Sequence, residues 1–197
     1  PTHRAGTSAT PVQKDLRWNC DVQTADRICN FNRHYAEFAG YWEQTSFLKE
    51  ESEASGEISF YDSNTGNELF TAPKGRSFEQ FVKESRVHGW PSFRAAEVFA
   101  DNVKTAGGLV TSACGTHLGT YLPDDKGPRW CIDLACVAGH RALNATLSTD
   151  KCGGAGAKSS SSSSSSSSMM RRRAFGGSGT AAAGATTSSS PLDSPNK

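Results

Sequence analysis

The stretch Leu109-Val110-Thr111-Ser112-Ala113-Cys114-Gly115-Thr116-His117-Leu118-Gly119-Thr120-Tyr121-Leu122-Pro123-Asp124-Asp125-Lys126-Gly127-Pro128-Arg129-Trp130-Cys131-Ile132 decides the fold class. Its apolar and β-branched residues come in runs too short for helices, and each run is bounded by turn formers. Residues 109–114, 118–122 and 130–137 read as strands. Pro123-Asp124-Asp125-Lys126-Gly127-Pro128 reads as a turn. Upstream, Gly107-Gly108 marks another turn, with a strand expected over residues 98–102. Pro91 excludes a helix through His88-Gly89-Trp90-Pro91-Ser92-Phe93. Residues 77–85 fit a short helix or an extended link. Residues 57–70 read as a β-hairpin, because Asp62-Ser63-Asn64-Thr65-Gly66 separates two apolar runs. The expected class is mainly β, a compact antiparallel domain with one or two helices packed outside.

Further outward the pattern changes. Ile28, Phe31, Tyr35 and Phe38 recur at helical spacing, which predicts a helix over residues 25–38 capped by Thr24 and stopped by Gly40. Trp18 and Trp42 are expected to hold this extension, residues 15–56, to the β domain. Residues 50–56 read as an acidic linker. Residues 1–14 read as a disordered arm, and residues 146–197 as a disordered tail dominated by Ser, Gly and Ala with an unbroken serine run over 159–168. The remaining length, roughly 140 residues, matches one domain over about residues 57–145 plus its extension.

The 197-residue chain has a net charge of +1. Lys158, Arg171, Arg172, Arg173 and Lys197 make the tail basic, so the body is mildly acidic. That body has no electrostatic footprint for nucleic acid. No apolar run approaches the ~20 residues of a membrane span. No secretory signal is visible at Pro1, and the reading is of an intracellular protein, plastid or mitochondrial if a targeting peptide has been removed. The six cysteines, Cys20, Cys29, Cys114, Cys131, Cys136 and Cys152, contain no Cys-x-x-Cys pair, so their spacing writes no zinc site. Three disulfides and six reduced thiols both remain open.

One local pattern carries chemistry. Arg129 and Cys131 are two apart in a predicted strand and therefore share a face. A guanidinium beside a thiol favours the thiolate. Asp133 shares that face and opposes the effect unless it pairs with Arg129. The alternative for Cys131 is a small buried hydrophobe.

Four segments, in order, resemble the methionine-R-sulfoxide reductase B family: His88-Gly89-Trp90-Pro91-Ser92-Phe93; Ser112-Ala113-Cys114-Gly115-Thr116-His117-Leu118-Gly119; Asp124-Asp125 before Gly127-Pro128; and Arg129-Trp130-Cys131-Ile132. Gly66-Asn67-Glu68-Leu69-Phe70 resembles the start of that domain, so the likeness covers about residues 57–138. It implies two antiparallel sheets with a few flanking helices. It also implies reduction of methionine-R-sulfoxide, free or in proteins, through a Cys131 sulfenic acid recycled by an external thiol reductant such as thioredoxin. In that scheme Cys131 is the nucleophile and Arg129 holds its charge. Trp90 packs the substrate methyl group, and His117 matches the family's first histidine.

The departures are specific. The family's second histidine is Thr120 here, which can hydrogen-bond substrate but cannot act as an acid near neutral pH. The family asparagine is Asp133. The places of the structural zinc ligands hold Asp62, Thr65, Thr111 and Cys114, so no zinc and no other bound cofactor is expected. The place of the usual resolving cysteine holds His88, a candidate substitute acid. Cys114 becomes the candidate resolving thiol. Cys136 is set aside because, in one continuous strand, it lies far from Cys131 and on the other face. Cys20 and Cys29 qualify only if the N-terminal segment folds over the site. The competing expectation is a catalytically weakened domain serving as a binding or structural subunit.

Overall fold

The turn after Tyr61 closes the first hairpin, in a computed structural model that describes residues 8, 10–31, 36–52, 56–143 and 152. Strands β1 (Ile58–Tyr61) and β2 (Glu68–Ala72) pair antiparallel, with Phe60 opposite Phe70. Gly66 takes φ 75° in the connecting loop, and a Cβ there would meet the carbonyl oxygen of His140 at 2.5 Å. Helix α4 (Phe78–His88) follows, numbered in chain order after the three N-terminal helices described below. Ser77 and Gln80 form a reciprocal capping box at its start, and Gly89 ends it in the left-handed conformation. These two signals resolve the reading of residues 77–85 in favour of a helix, and carry it on to His88.

Five strands form the second sheet in the order β3-β7-β6-β5-β4. They are β3 (Ser92–Arg94), β4 (Val103–Ala106), β5 (Leu109–Ser112), β6 (His117–Tyr121) and β7 (Arg129–Ile132). All neighbours run antiparallel. The mainly β class with two antiparallel sheets and a few helices therefore holds.

Two strand expectations need correction. Residues 98–102 are not a strand: Val98 makes only an isolated bridge to Phe70, and the amides of Asn102 and Val103 both turn back to the carbonyl of Phe99. The strand expected over residues 130–137 stops at Ile132 and gives way to a 3-10 turn, Leu134–Cys136. The amides of Leu134 and Ala135 donate to the Glu37 carboxylate, so they are not available to a sheet ladder. The single-strand geometry used to set Cys136 aside therefore does not apply.

The N-terminal region differs more. Helix α1 (Val22–Phe31) starts before residue 25, and the Asp21 carboxylate, not Thr24, accepts the first-turn amide, that of Thr24 at 2.7 Å. Ala36 to Phe38 are not helical. The Phe31 side chain and residues 32–35 lie outside the described residues. Gly40 does not stop that helix; it precedes α2 (Tyr41–Gln44). Glu50 to Ser52, expected in a linker, belong to α3 (Phe47–Ser52), where Glu51 accepts the Trp18 indole N–H at 2.7 Å. Val12, assigned by sequence to the arm, is buried in the core, and the Gln13 amide donates to the Ser63 carbonyl.

Aromatic rings fill the space among these elements. Phe93 of β3 meets Phe70 at 4.3 Å and Phe60 at 4.9 Å between centroids, and Phe81 of α4 at 5.6 Å. Phe47 joins them through Phe60 and also carries the edge of Trp18 at 5.0 Å. Burying several such rings is the largest favourable contribution to this core. The same packing fixes the N-terminal segment beside the sheet. Among the described residues no helix is long and apolar enough to cross a membrane.

Candidate active site

The site is built on a row across the sheet. Cys131 on β7 pairs with Ser92 on β3 and with Thr120 on β6, and directly opposed residues point to one face. Gly119 makes the row possible. Its φ is +152°, and a Cβ there would lie 2.1 Å from the carbonyl oxygen of Cys131. Nη1 of Arg129, two residues before Cys131, donates to Cys131 Sγ at 2.8 Å, as the strand spacing predicts. The Ser92 hydroxyl lies 3.8 Å from the same sulfur. Cys131 keeps 9% of its surface, which makes it the least covered of the four free cysteines but leaves it buried.

A chain of alternating charges holds Arg129. Its Nε donates to Asp124 at 3.1 Å, and Arg94 donates both Nη1 and Nη2 to the same carboxylate at 2.9 Å each. Hydrogen bonds from Arg94 hold the Asp124 carboxyl well below the usual range. Arg94 also pairs with Glu84, which pairs with Arg76, which in turn pairs with the buried Glu97. Burial works against the Glu84 anion, yet the bonds and charge of Arg94 and Arg76 outweigh it and hold this carboxyl below its ordinary value. His88, at the end of α4, sits against this network, and its basicity is lowered first by burial and then by the charge of Arg129. Ligand atoms of Glu84, His88 and Asp124 lie within 4.8 Å of one another. Both carboxylates are already matched by guanidinium groups, so the arrangement is an ion-pair network rather than a free cation cradle.

A second group lies beyond Cys131. Asp133 does not pair with Arg129, which is taken by Asp124. Its Oδ1 accepts the amide of Glu37 at 3.1 Å, and its Oδ2 lies 3.7 Å from Nε2 of His117. Burial pushes the Asp133 carboxyl up to about 7. Burial also raises Glu37 well above the ordinary range, with the charge of Asp133 adding to it. Desolvation lowers His117 to about 4, and its Nδ1 has no hydrogen-bond partner among the described residues. Burial thus works against the negative charge that Asp133 was expected to bring near Cys131.

Trp90 follows Gly89, and its indole N–H donates to the Glu37 carbonyl at 3.1 Å. Glu37 thus touches both Trp90 and Asp133, which brings the N-terminal segment into the site. Nothing in the sequence marked it. Thr120 is exposed, opposite Cys131.

Cys114 is elsewhere, and its assignment as resolving thiol needs correction. It lies in the turn before β6 and is bonded to Cys152, a residue counted with the tail. Paired in this way, it has no free thiol to offer. Cys20, Cys29 and Cys136 are free but buried, and burial raises all three thiols. Cys29 and Cys136 are also in contact with each other. At the places matched to zinc ligands, Asp62 is buried and accepts the Thr116 hydroxyl at 2.9 Å and the Asn64 amide at 2.9 Å.

The arrangement sets the Cys131 thiol beside a fixed cation, and the chain just beyond it carries the buried Asp133 in contact with the buried Glu37. Comparisons with protein-family models, with curated proteins and with solved structures find no match to this chain.

Proposed function

We propose that this protein is a thiol-dependent reductase of methionine-R-sulfoxide, acting on the free amino acid or on protein side chains. The observation that carries the reading is the 2.8 Å contact of Arg129 Nη1 with Cys131 Sγ, made by a guanidinium that Asp124 fixes from its other edge. A charge-assisted contact of this kind favours attack by sulfur as thiolate.

The Cys131 thiolate attacks the sulfoxide sulfur, and the sulfoxide oxygen takes up one proton. The substrate S–O bond breaks and an S–O bond forms at Cys131. The substrate sulfur gains two electrons and leaves as a thioether, and Cys131 loses two and becomes a sulfenic acid. An external dithiol of the thioredoxin class then condenses with the sulfenic acid, releasing water. Its second thiol completes the exchange and restores the Cys131 thiol. Direct recycling of this sort suits a chain whose Cys114 is paired and whose other free thiols are buried. Trp90 supplies an apolar wall for the substrate methyl group, and Thr120 a hydroxyl at the open edge of the row.

The test is turnover of each sulfoxide epimer with excess dithiothreitol. Loss of the R epimer alone, abolished by Cys131→Ser, supports the reading. No turnover of either epimer rejects it. One observation favours a second reading, a catalytically weakened binding or structural module: Cys131 keeps little exposed surface. Binding of oxidised and unoxidised peptides with equal affinity and without turnover is the result that reading expects.

A further inference from the structure

Outside the Cys131 site, the two ends of the Cys114–Cys152 bond differ. Cys114, in the turn before β6, is half-buried, whereas Cys152 is exposed. The side-chain amide of Asn67, from the loop of the first hairpin, donates to the Cys114 sulfur at 3.6 Å. One half of the bond is therefore open to an incoming thiol, and the other has a hydrogen-bond donor against its sulfur.

The same bond holds the outer end of the N-terminal segment. The Cys152 carbonyl accepts the Thr10 hydroxyl at 3.1 Å. The Thr10 carbonyl accepts Nδ2 of Asn64 at 2.5 Å, and that amide also donates to Asn30 of α1 at 2.8 Å. The hydroxyl of the buried Ser8 donates to the Thr10 carbonyl at 3.1 Å and accepts the Thr10 amide at 3.3 Å. Further along, the Gln13 amide donates to the Ser63 carbonyl at 2.9 Å, and the Gln13 side chain exchanges two hydrogen bonds with the backbone of His140. Ser8 and Thr10 bring little apolar surface, so their hold is polar, and the Cys152 carbonyl stays in place because its own residue is bonded to Cys114.

We propose that Cys114–Cys152 is a second thiol-exchange site of this protein, a reducible clasp on residues 8–13, and that its co-reactant is a dithiol of the thioredoxin class. The incoming thiolate attacks Sγ of Cys152. A bond forms between those two sulfurs, the Cys114–Cys152 bond breaks, and Cys114 leaves as a thiolate facing the Asn67 amide. The second thiol of the reductant, as thiolate, then attacks its own partner sulfur and releases Cys152. Two electrons pass from the dithiol, which becomes a disulfide, and its two protons end on Cys114 and Cys152. Once Cys152 is untied, Thr10 loses a fixed acceptor, and the segment ahead of Lys14 opens while the sheets stay folded. Cys131 takes no part in these steps.

The experiment uses the full chain with the bond formed. It is mixed with a thioredoxin whose second active-site cysteine is replaced by serine, so that exchange stops at the mixed disulfide. Trypsin cuts after Lys104, Lys126, Lys151 and Lys158, so residues 152–158 report Cys152 separately from Cys114 in residues 105–126. Thioredoxin is expected on the 152–158 peptide. Attachment through Cys114, or no adduct, overturns the proposal. Asn67→Asp places a carboxylate against the leaving thiolate and is expected to slow adduct formation several-fold. An unchanged rate overturns the part given to Asn67.

The clasp is read by hydrogen exchange before and after full reduction with unmodified thioredoxin. The amides over residues 10–13 are expected to exchange about ten-fold faster or more once the bond is reduced. Cys152→Ser should show the fast rates without reductant and no change on adding it. Equal protection of this segment in the oxidised and reduced wild-type protein overturns the clasp, and that comparison needs no variant to fold. Absence of sulfoxide turnover at Cys131 leaves this proposal standing, and absence of an adduct at Cys152 leaves the reductase reading standing.

Discussion

The guanidinium of Arg129 touches the sulfur of Cys131 at 2.8 Å while its Nε is held by Asp124 at 3.1 Å. The two contacts use different edges of one planar group, so the cation cannot swing away from the sulfur without breaking an ion pair. Arg129→Lys has one point donor and cannot make both. Alkylation of Cys131 by iodoacetamide at pH 7, read by mass spectrometry, is expected to slow several-fold in both Arg129→Lys and Arg129→Gln. Asp124→Asn should give an intermediate rate. Equal rates in all four proteins would remove the role assigned to Arg129.

The four free thiols should differ in order of reaction. Cys131 is the least covered, whereas Cys29 and Cys136 have no exposed surface and burial disfavours their thiolates. Native protein should label at Cys131 first, and Cys29 and Cys136 only after denaturant is added. Early labelling of Cys136 would mean that the turn after β7 opens readily.

Gly119→Ala should be severe. The added Cβ would sit 2.1 Å from the Cys131 carbonyl oxygen, at a φ of +152° that L side chains rarely adopt. Backbone must move, because no flexible side chain is there to yield. A loss of about 2–4 kcal/mol in urea unfolding is expected, together with loss of turnover. A fully stable Gly119→Ala protein would show that β6 and β7 can separate without cost.

Stability should respond to pH in two opposite ways that variants separate. His117 is lowered from 6.5 to about 4, so between those values the unfolded chain binds a proton that the folded one refuses. Stability from this group is present above pH 6.5 and is lost as pH falls towards 4, by roughly 3 kcal/mol in total. Asp133 is raised from 3.8 to about 7, so its contribution is present below pH 4 and is lost as pH rises through 7. Subtracting the urea stability of His117→Gln from wild type should give a curve rising with pH over 4–6.5. The same subtraction for Asp133→Asn should give a curve falling over 4–7.

The Cys114–Cys152 bond closes a sequence separation of 38 residues. Restricting the unfolded chain by a loop of that size stabilises by about 3–4 kcal/mol on entropic grounds. Cys152→Ser should lower the unfolding midpoint by a corresponding amount. Dithiothreitol should have the same effect on wild type and none on the variant. Turnover with dithiothreitol as reductant should persist in Cys114→Ser, because the bond lies at the turn before β6 and Cys131 pairs near the other end of that strand. Loss of recycling in Cys114→Ser would return that residue to the role of resolver.

Much of the architecture was legible along the chain. The hairpin of residues 57–70, the turn at residues 123–128 and the Arg129/Cys131 face follow from turn chemistry and the alternation of strand side chains, which act over a few residues. The strand expected over residues 130–137 was not legible in the same way. Residues up to Val137 look strand-like by themselves, but Glu37, some 97 residues from Leu134, takes the amides of Leu134 and Ala135 that would extend the ladder. The helix expected over residues 25–38 went wrong at the same contact, because the Glu37 amide is drawn to Asp133.

By itself, then, the sequence determined a mainly β domain and one thiol beside one guanidinium. Only the tertiary structure decided that Asp133 faces Glu37 and His117 rather than Arg129, that Glu37 joins Trp90 to the site, and that Cys114 pairs with Cys152. Periodicity and turn propensity are local. The state of a carboxyl or a thiol depends on which distant groups share its dry surroundings, and chain closure alone sets that.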